Sequence, residues 1–316
     1  MPLRSRCFNT TKFSVRPSAS FRVALVTGGG SGIGAAVAAQ LAVKGWKPFV
    51  CGRRKEQLER VAERTGAEAV VCDISDRAQV DALVGDIMAR SGRLDGLVLN
   101  AGVIASGKLG DLSLDEWQEM VSINLSGAFF VARACLPHLL ASGGAVVSVA
   151  SEAALRASSE MSGYAATKAA LLALTQSLAV DYGPDGLRAN VVCPGWTVTE
   201  MADEEMTAFG QERGLSAADA YRLVTSLVPL RRPARADEVA AVIAFLLGDE
   251  ASYVNGAVIP VDGGGIAVDP ATVPFDPRVH VDWHAPGIPP RDARAVTGGT
   301  ASGSGASRDE QHGDER

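Results

Sequence analysis

Apolar residues in this chain gather in short unbroken runs, each followed by a longer stretch with helical spacing. The runs at 23–26, 46–51, 70–72, 96–100, 145–149, 187–193 and 258–261 read as strands covered on both faces, because a half-solvated strand would alternate polar and apolar positions. Between them, 33–44, 54–64, 78–91, 114–137, 164–181 and 236–247 read as helices. This alternation predicts an α/β domain built on one doubly wound parallel sheet of about seven strands, with helices on both faces and a ligand beyond the strand C-termini. The interval 199–229 breaks the rhythm, with Met201, Met206, Phe209, Leu215, Tyr221 and Leu223 set among acids and glycine. That suits one or two short helices lying over a cleft as a lid, or an ordinary surface excursion.

The regular pattern fills 21–268, which is expected to be a single domain. Residues 1–20 carry Arg4, Arg6, Lys12 and Arg16 among serines and threonines and lack the apolar block of a secretory signal. They read as a flexible extension of a cytoplasmic protein, with an organelle leader as the alternative. Residues 269–316 turn proline-rich and then glycine- and serine-rich, with disorder expected from about 290. Within them Val273, Phe275, Val279 and Trp283 suit packing along the body or against a neighbouring subunit.

With 316 residues, 47% of them hydrophobic, the chain can bury a substantial core. A net charge of −6 provides no field for a polyanion, which argues against nucleic acid as partner. No uninterrupted apolar run reaches about 18 residues, so no membrane span is expected. Cys7, Cys51, Cys72, Cys135 and Cys193 are scattered and odd in number, as for reduced, mostly buried thiols. His280 and His284 sit among prolines without a helical pattern, so no metal site is expected.

Directly after the first strand comes Thr-Gly-Gly-Gly-Ser-Gly-Ile-Gly at 27–34. Gly28, Gly32 and Gly34 allow a tight turn and close backbone approach, and the following helix points free N–H groups at a pyrophosphate. The second strand ends in Gly52-Arg53-Arg54, where an acid would bind the ribose hydroxyls of NAD(H). A guanidinium at Arg53 instead matches a 2′-phosphate, which favours NADP(H) over NAD(H), while Arg54 reads as exposed on the next helix. Asp73 either accepts from an adenine amino group or caps the next helix. Asn100, Ala101 and Gly102 form a small-residue bend beside the adenosine ribose. Past the sixth strand, Pro194 and Gly195, with Thr197 and Thr199, offer partners to a carboxamide. Ser31, Ile33 and Ile74 complete the expected cofactor contacts.

Tyr164 and Lys168 lie one helical turn apart on one face, a phenolic proton donor beside a cation expected to favour the phenolate. Ser151, just past the fifth strand, can hydrogen-bond a substrate oxygen as charge builds on it. Asn124 interrupts an apolar helix and either anchors a water chain to Lys168 or kinks the helix locally; the two readings are compatible. A pocket of Ser151, Ala153, Leu155, Tyr164, Gly195, Trp196, Met201 and Met206 suits a substrate with an apolar part beside its carbonyl.

These pieces, in this order across about 21–266, resemble the classical short-chain dehydrogenase/reductase family, and within it the 3-oxoacyl-acyl-carrier-protein reductase-like group. The resemblance implies a Rossmann-type sheet, a nicotinamide cofactor and a tetrad of Asn124, Ser151, Tyr164 and Lys168 interconverting a ketone and a secondary alcohol. It also implies a homotetramer or homodimer, for which the apolar helices near 127–139 and 165–178 could supply an interface. NADPH-dependent ketone reduction is the expected activity; NAD-dependent oxidation of a diol, sugar or hydroxysteroid and a non-catalytic dinucleotide sensor or scaffold are the alternatives. The chain departs from the family at Ser31, where NADP(H) forms often carry a basic residue, and in its long tail.

Overall fold

The structure is a computed structural model that describes residues 21–276 and 278. The expected leader, Val279 and Trp283, the His280/His284 pair and the expected disorder beyond about 290 lie outside the described residues. The chain falls into two compact units, Met1–Val273 and Pro274–Arg316; in the second, the Arg278 guanidinium donates to Asp276 at 2.8 Å.

In chain order the first unit runs β1 (Val23–Thr27), α1 (Gly32–Val43), β2 (Lys47–Gly52), α2 (Lys55–Thr65), β3 (Glu68–Val71), α3 (Arg77–Ser91) and β4 (Gly96–Leu99). There follow α4 (Leu114–Met120), a π-helical segment (Val121–Gly127), α5 (Ala128–Ser142), β5 (Ala145–Val149), α6 (Ser162–Tyr182) and β6 (Arg188–Pro194). The order then continues with β7 (Thr197–Val198), α7 (Glu200–Gln211), α8 (Ala217–Val224), β8 (Ala234–Arg235), α9 (Ala236–Leu247) and β9 (Val258–Val261). Seven strands form one parallel sheet in the order β3-β2-β1-β4-β5-β6-β9. The chain winds outward from β1 to β3, then returns to β4 on β1's other side. The reversal opens a crevice at the C-terminal ends of β1 and β4.

Alternation along each strand explains the unbroken apolar runs. Val23 and Leu25 join Phe49, Leu97, Leu99 and Val146 in a core packed with α3, α5 and α6. Ala24 and Val26 face the other way, joining Val50, Val98, Val147 and Val192 under α1, α2 and α9. Cys51, Cys72, Cys135 and Cys193 are buried free thiols, as expected.

Three features depart from the sequence reading. The helix expected to stop at Pro137 continues to Ser142, because Leu139 is buried in the core and Gly143 provides the left-handed cap one turn later. The run Leu114–Ser142 is thereby long and apolar enough to cross a membrane by length and composition; its buried face is packed into the sheet core. Finally, β7 pairs with β8 in a two-residue parallel ladder that brackets α7 and α8, a signal too short to read in sequence.

The excursion is the expected helix pair, with a core of its own. Met206, Ala220 and Tyr221 are buried in it with Phe209 and Trp196 against them, and the Tyr221 hydroxyl donates to Asp203 Oδ1 at 2.9 Å.

Candidate active site

At the crevice, Gly28 and Gly32 adopt φ of +63° and +52°, accessible at little cost only to glycine. A Cβ on Gly28 would stand 2.8 Å from Ala101 Cα, and one on Gly34 would collide with the Gly28 carbonyl. Helices α3, α4, α7 and α8 begin under capping side chains from Asp76, Ser113, Thr199 and Ser216, whereas Ser31 makes no such bond at the start of α1. The first-turn N–H groups of α1 therefore lack a side-chain acceptor, and together with the glycine backbone they fit a pyrophosphate. Asn100 and Ala101 stitch β4 to this cradle. The Asn100 amide donates to the carbonyls of Thr27 and Gly28 at 2.9 and 3.1 Å, and Thr27 Oγ1 accepts from the backbone N–H groups of Asn100 and Ala101.

Several expectations change here. Asp73 does not cap the next helix, because Asp76 does; Asp73 Oδ1 instead accepts from the Ser75 N–H and hydroxyl at 2.9 and 2.7 Å. Ile74 is 5% exposed and packs on Gly127, leaving mainly its backbone for the groove. Arg53 is exposed with no partner among the described residues, whereas Arg54, expected in solvent, reaches the cradle. Its guanidinium donates to Ser31 Oγ at 3.0 Å and to Glu200 Oε2, at the start of α7, at 3.1 Å. Thr199 also meets the cradle, its methyl 3.0 Å from the position of a Cβ on Gly32. The turn after β6 is held by the Thr197 hydroxyl donating to the Gly195 carbonyl at 3.0 Å and by the Gly195 N–H donating to Val261.

The fold brings Ser151, Tyr164 and Lys168 together at the ends of β5 and α6. Ser151 Oγ accepts from the Ala153 N–H at 3.1 Å, and its side chain acts on the Tyr164 phenol. Lys168 is 4% exposed; its Nζ donates to the Val149 carbonyl at 3.0 Å and lies 5.6 Å from the Tyr164 ring centroid. Burial dominates both groups. It pushes the Tyr164 phenol up to about 12 against the pull of the Ser151 side chain, and brings Lys168 down to about 8. The expected depression of the phenol is therefore reversed in the protein alone: desolvation of the phenolate dominates, with the Glu205 carboxylate adding to it and Ser151 opposing it. At neutral pH Tyr164 keeps its proton.

Asn124 is fully buried in the π-helical segment, with its amide used up locally. Oδ1 accepts from the Val103 N–H at 2.8 Å, and Nδ2 donates to the Val103 carbonyl at 2.9 Å and to Thr167 Oγ1 at 3.1 Å. Its side chain thus anchors the strand-end loop, and Gly102, one residue before Val103, passes so close that a Cβ there would lie 3.2 Å from Lys168 Nζ.

Of the expected substrate contacts, Ala153 and Leu155 sit in and just after the turn following Ser151, Trp196 sits at the base of the helix pair, and Met201 is 41% exposed. Met206 is 1% exposed inside the pair's own core and presents no surface to a substrate. Sequence reasoning passed over Glu152, whose carboxyl group burial, and secondarily Asp262, pushes up to about 7. With the folded value above the ordinary 4.5, the folded state holds more protons between pH 4.5 and 7, so stability falls as pH rises through that window. Glu152→Gln is expected to raise stability at about pH 8 by ~1 kcal/mol, allowing for solvent screening, and to do little near pH 4.5. Urea midpoints at the two pH values check this, and equal midpoints at pH 8 would refute it. A cleft of about 500 Å³ opens at the other end of the sheet beside Arg22, Asp95 and Arg188, away from this chemistry.

A family model described as enoyl-(acyl carrier protein) reductase matches residues 28–265. Protein MoaE of Klebsiella aerogenes is 42% identical over 258 residues, 80% of this chain and 99% of that protein. Levodione reductase of Leifsonia aquatica is 40% identical over 254 residues, 77% of this chain and 93% of that protein. A solved levodione reductase structure superimposes with a TM-score of 0.75 at 39% identity, covering 79% of this chain and 99% of that one. A single-residue variant of actinorhodin polyketide ketoreductase, solved with NADPH, gives a TM-score of 0.74 at 32% identity, covering 78% of this chain and 97% of that one. With its parallel sheet, uncapped glycine cradle and Ser-Tyr-Lys cluster, the chain belongs to the classical short-chain dehydrogenase/reductase family, NAD(P)-dependent oxidoreductases acting on CH–OH and C=O groups.

Proposed function

We propose that this protein is an NADPH-dependent reductase of ketones, with secondary-alcohol oxidation as the reverse reaction. The observation that carries the reading is the convergence of Ser151, Tyr164 and Lys168 where β5 ends and α6 begins, with the Lys168 ammonium 5.6 Å from the Tyr164 ring centroid. The glycine backbone at Gly28, Gly32 and Gly34 would hold the pyrophosphate of NADPH, which when bound would supply the hydride. Tyr164, which carries its proton at neutral pH, gives it to the carbonyl oxygen as negative charge builds there. Ser151 Oγ already accepts from Ala153, so its own hydrogen is directed elsewhere and supports the same substrate oxygen. Lys168 donates to Val149 and retains N–H groups to hold the nicotinamide ribose. Asn124 acts by positioning the loop that passes Lys168. The test is NADPH consumption, followed by cofactor absorbance, over a panel of ketones.

NADP(H) is supported by Arg54, a guanidinium beside Ser31 where a 2′-phosphate would sit. Arg54→Ala is expected to weaken NADPH binding by roughly tenfold and NADH binding hardly at all, the size of one charge-assisted contact, with Arg53→Ala having the smaller effect. Fluorescence titration with both cofactors measures this. A second reading, an NAD-dependent dehydrogenase of a diol or sugar, is favoured by Glu200, which occupies Arg54 and would repel a phosphate. Equal affinities for the two cofactors in wild type and both variants would decide for it. Exposed Trp117, Phe129 and Val180 on α4, α5 and α6 support a homo-oligomer.

A further inference from the structure

Glu152 directly follows Ser151 and opens the short turn Glu152–Ala154 at the end of β5. Its Oε2 lies 3.1 Å from the position of a Cβ on Gly195 and 3.4 Å from that of one on Gly265, so the carboxylate rests against bare backbone past β6 and β9. It therefore stands between the serine of the reacting cluster and the turn that flanks the cofactor groove. Among the described residues no hydrogen bond or ion pair reaches this carboxylate. Arg156, in the same turn, directs its guanidinium to the Val268 carbonyl at 2.9 Å. Asp262, the acid facing Glu152, has both oxygens engaged by the N–H groups of Gly264 and Ile266 at 2.9 and 2.7 Å and offers no donor. A half-buried carboxylate with no donor from the described residues, one residue from Ser151, is open to a donor carried by a ligand.

We infer that Glu152 selects substrate by accepting a hydrogen bond from a hydroxyl carried beside the reacting carbonyl, so that the substrates are hydroxyketones and the products diols. This rests on the ketone-reductase reading above and adds a polar requirement to it. A hydroxyl fits better than an ammonium, because Lys168 already places a buried cation in the same cluster and would repel a second. Sites built to hydrogen-bond a substrate hydroxyl reject the analogue lacking it more strongly than apolar pockets reject a missing methylene.

The experiment compares kcat/KM for 2-hydroxycyclohexanone and cyclohexanone with NADPH, using the full chain as wild type, Glu152→Gln and Glu152→Leu, each checked by thermal melting. Wild type is expected to prefer the hydroxyketone by about 100-fold. Glu152→Leu should bring the ratio to within about threefold of unity, mostly through KM, and Glu152→Gln, which keeps an acceptor, should retain a preference of about tenfold or more. The preference lost in Glu152→Leu and partly kept in Glu152→Gln establishes the role even if absolute rates fall. Turnover of cyclohexanone by wild type with no preference for the hydroxyketone overturns the inference and leaves the reductase reading standing. So does a preference undiminished in a folded Glu152→Leu protein, or a stronger preference for 2-aminocyclohexanone. Consumption of neither ketone by wild type, with NADPH demonstrably bound, sinks the inference together with the reductase reading.

Discussion

Tyr164→Phe is expected to lower kcat for ketone reduction by about 10³-fold while leaving NADPH affinity within a factor of about three of wild type. The phenyl ring fills the same space, so only the hydroxyl and its proton are lost. Because burial holds the phenol at about 12, the wild-type group carries its proton throughout the neutral range. The developing alkoxide takes that proton from a neighbour instead of waiting for water. Initial rates with a turned-over ketone and a parallel fluorescence titration with NADPH separate the two effects. A variant retaining a tenth of wild-type kcat would move proton donation to another group.

Asn124→Leu should be the most destabilising single change at the site, by about 3 kcal/mol. Leucine matches the asparagine in size but leaves the buried N–H and carbonyl of Val103 without their partner and removes the bond to Thr167. Two orphaned backbone groups in a part-buried loop cost more than the loss of a favourable contact. Chemical denaturation measures the loss directly. A shift below about 1 kcal/mol would mean that water replaces the amide, which would favour the water-anchoring reading of this residue.

Much of the site was legible because it depends on local chemistry. A strand followed by Gly28, Gly32 and Gly34 carries its own turn geometry, and the positive φ at Gly28 and Gly32 is the requirement such spacing announces. Tyr164 and Lys168 face one cleft because α6 has helical periodicity, and Ser151 meets them because β5 ends where its apolar run ends. What escaped were contacts closed across the chain. Arg54 meets Glu200 over a separation of 146 residues, and neither residue stands in a pattern that marks the other. Asp76 rather than Asp73 caps α3 because that helix begins at Arg77, directly after Asp76 and four residues past Asp73. Met206 reads as a pocket residue from composition alone, and only the pairing of α7 with α8 buries it. The direction of the Tyr164 shift depended on how much solvent the folded environment removes, which residue spacing does not encode.

By itself, then, the sequence determined the order of strands and helices, the glycine-rich turn after β1 and the placing of Tyr164 and Lys168 on one helix face, since each follows from periodicity or from what glycine, tyrosine and lysine can do over one turn. Only the tertiary structure decided which acids and guanidinium groups share a space, that Asn124 is consumed by Val103, and that Glu152 lies without a donor beside Ser151. Those outcomes are set by long-range packing and by the desolvation it imposes, quantities that exist only once distant segments have come together.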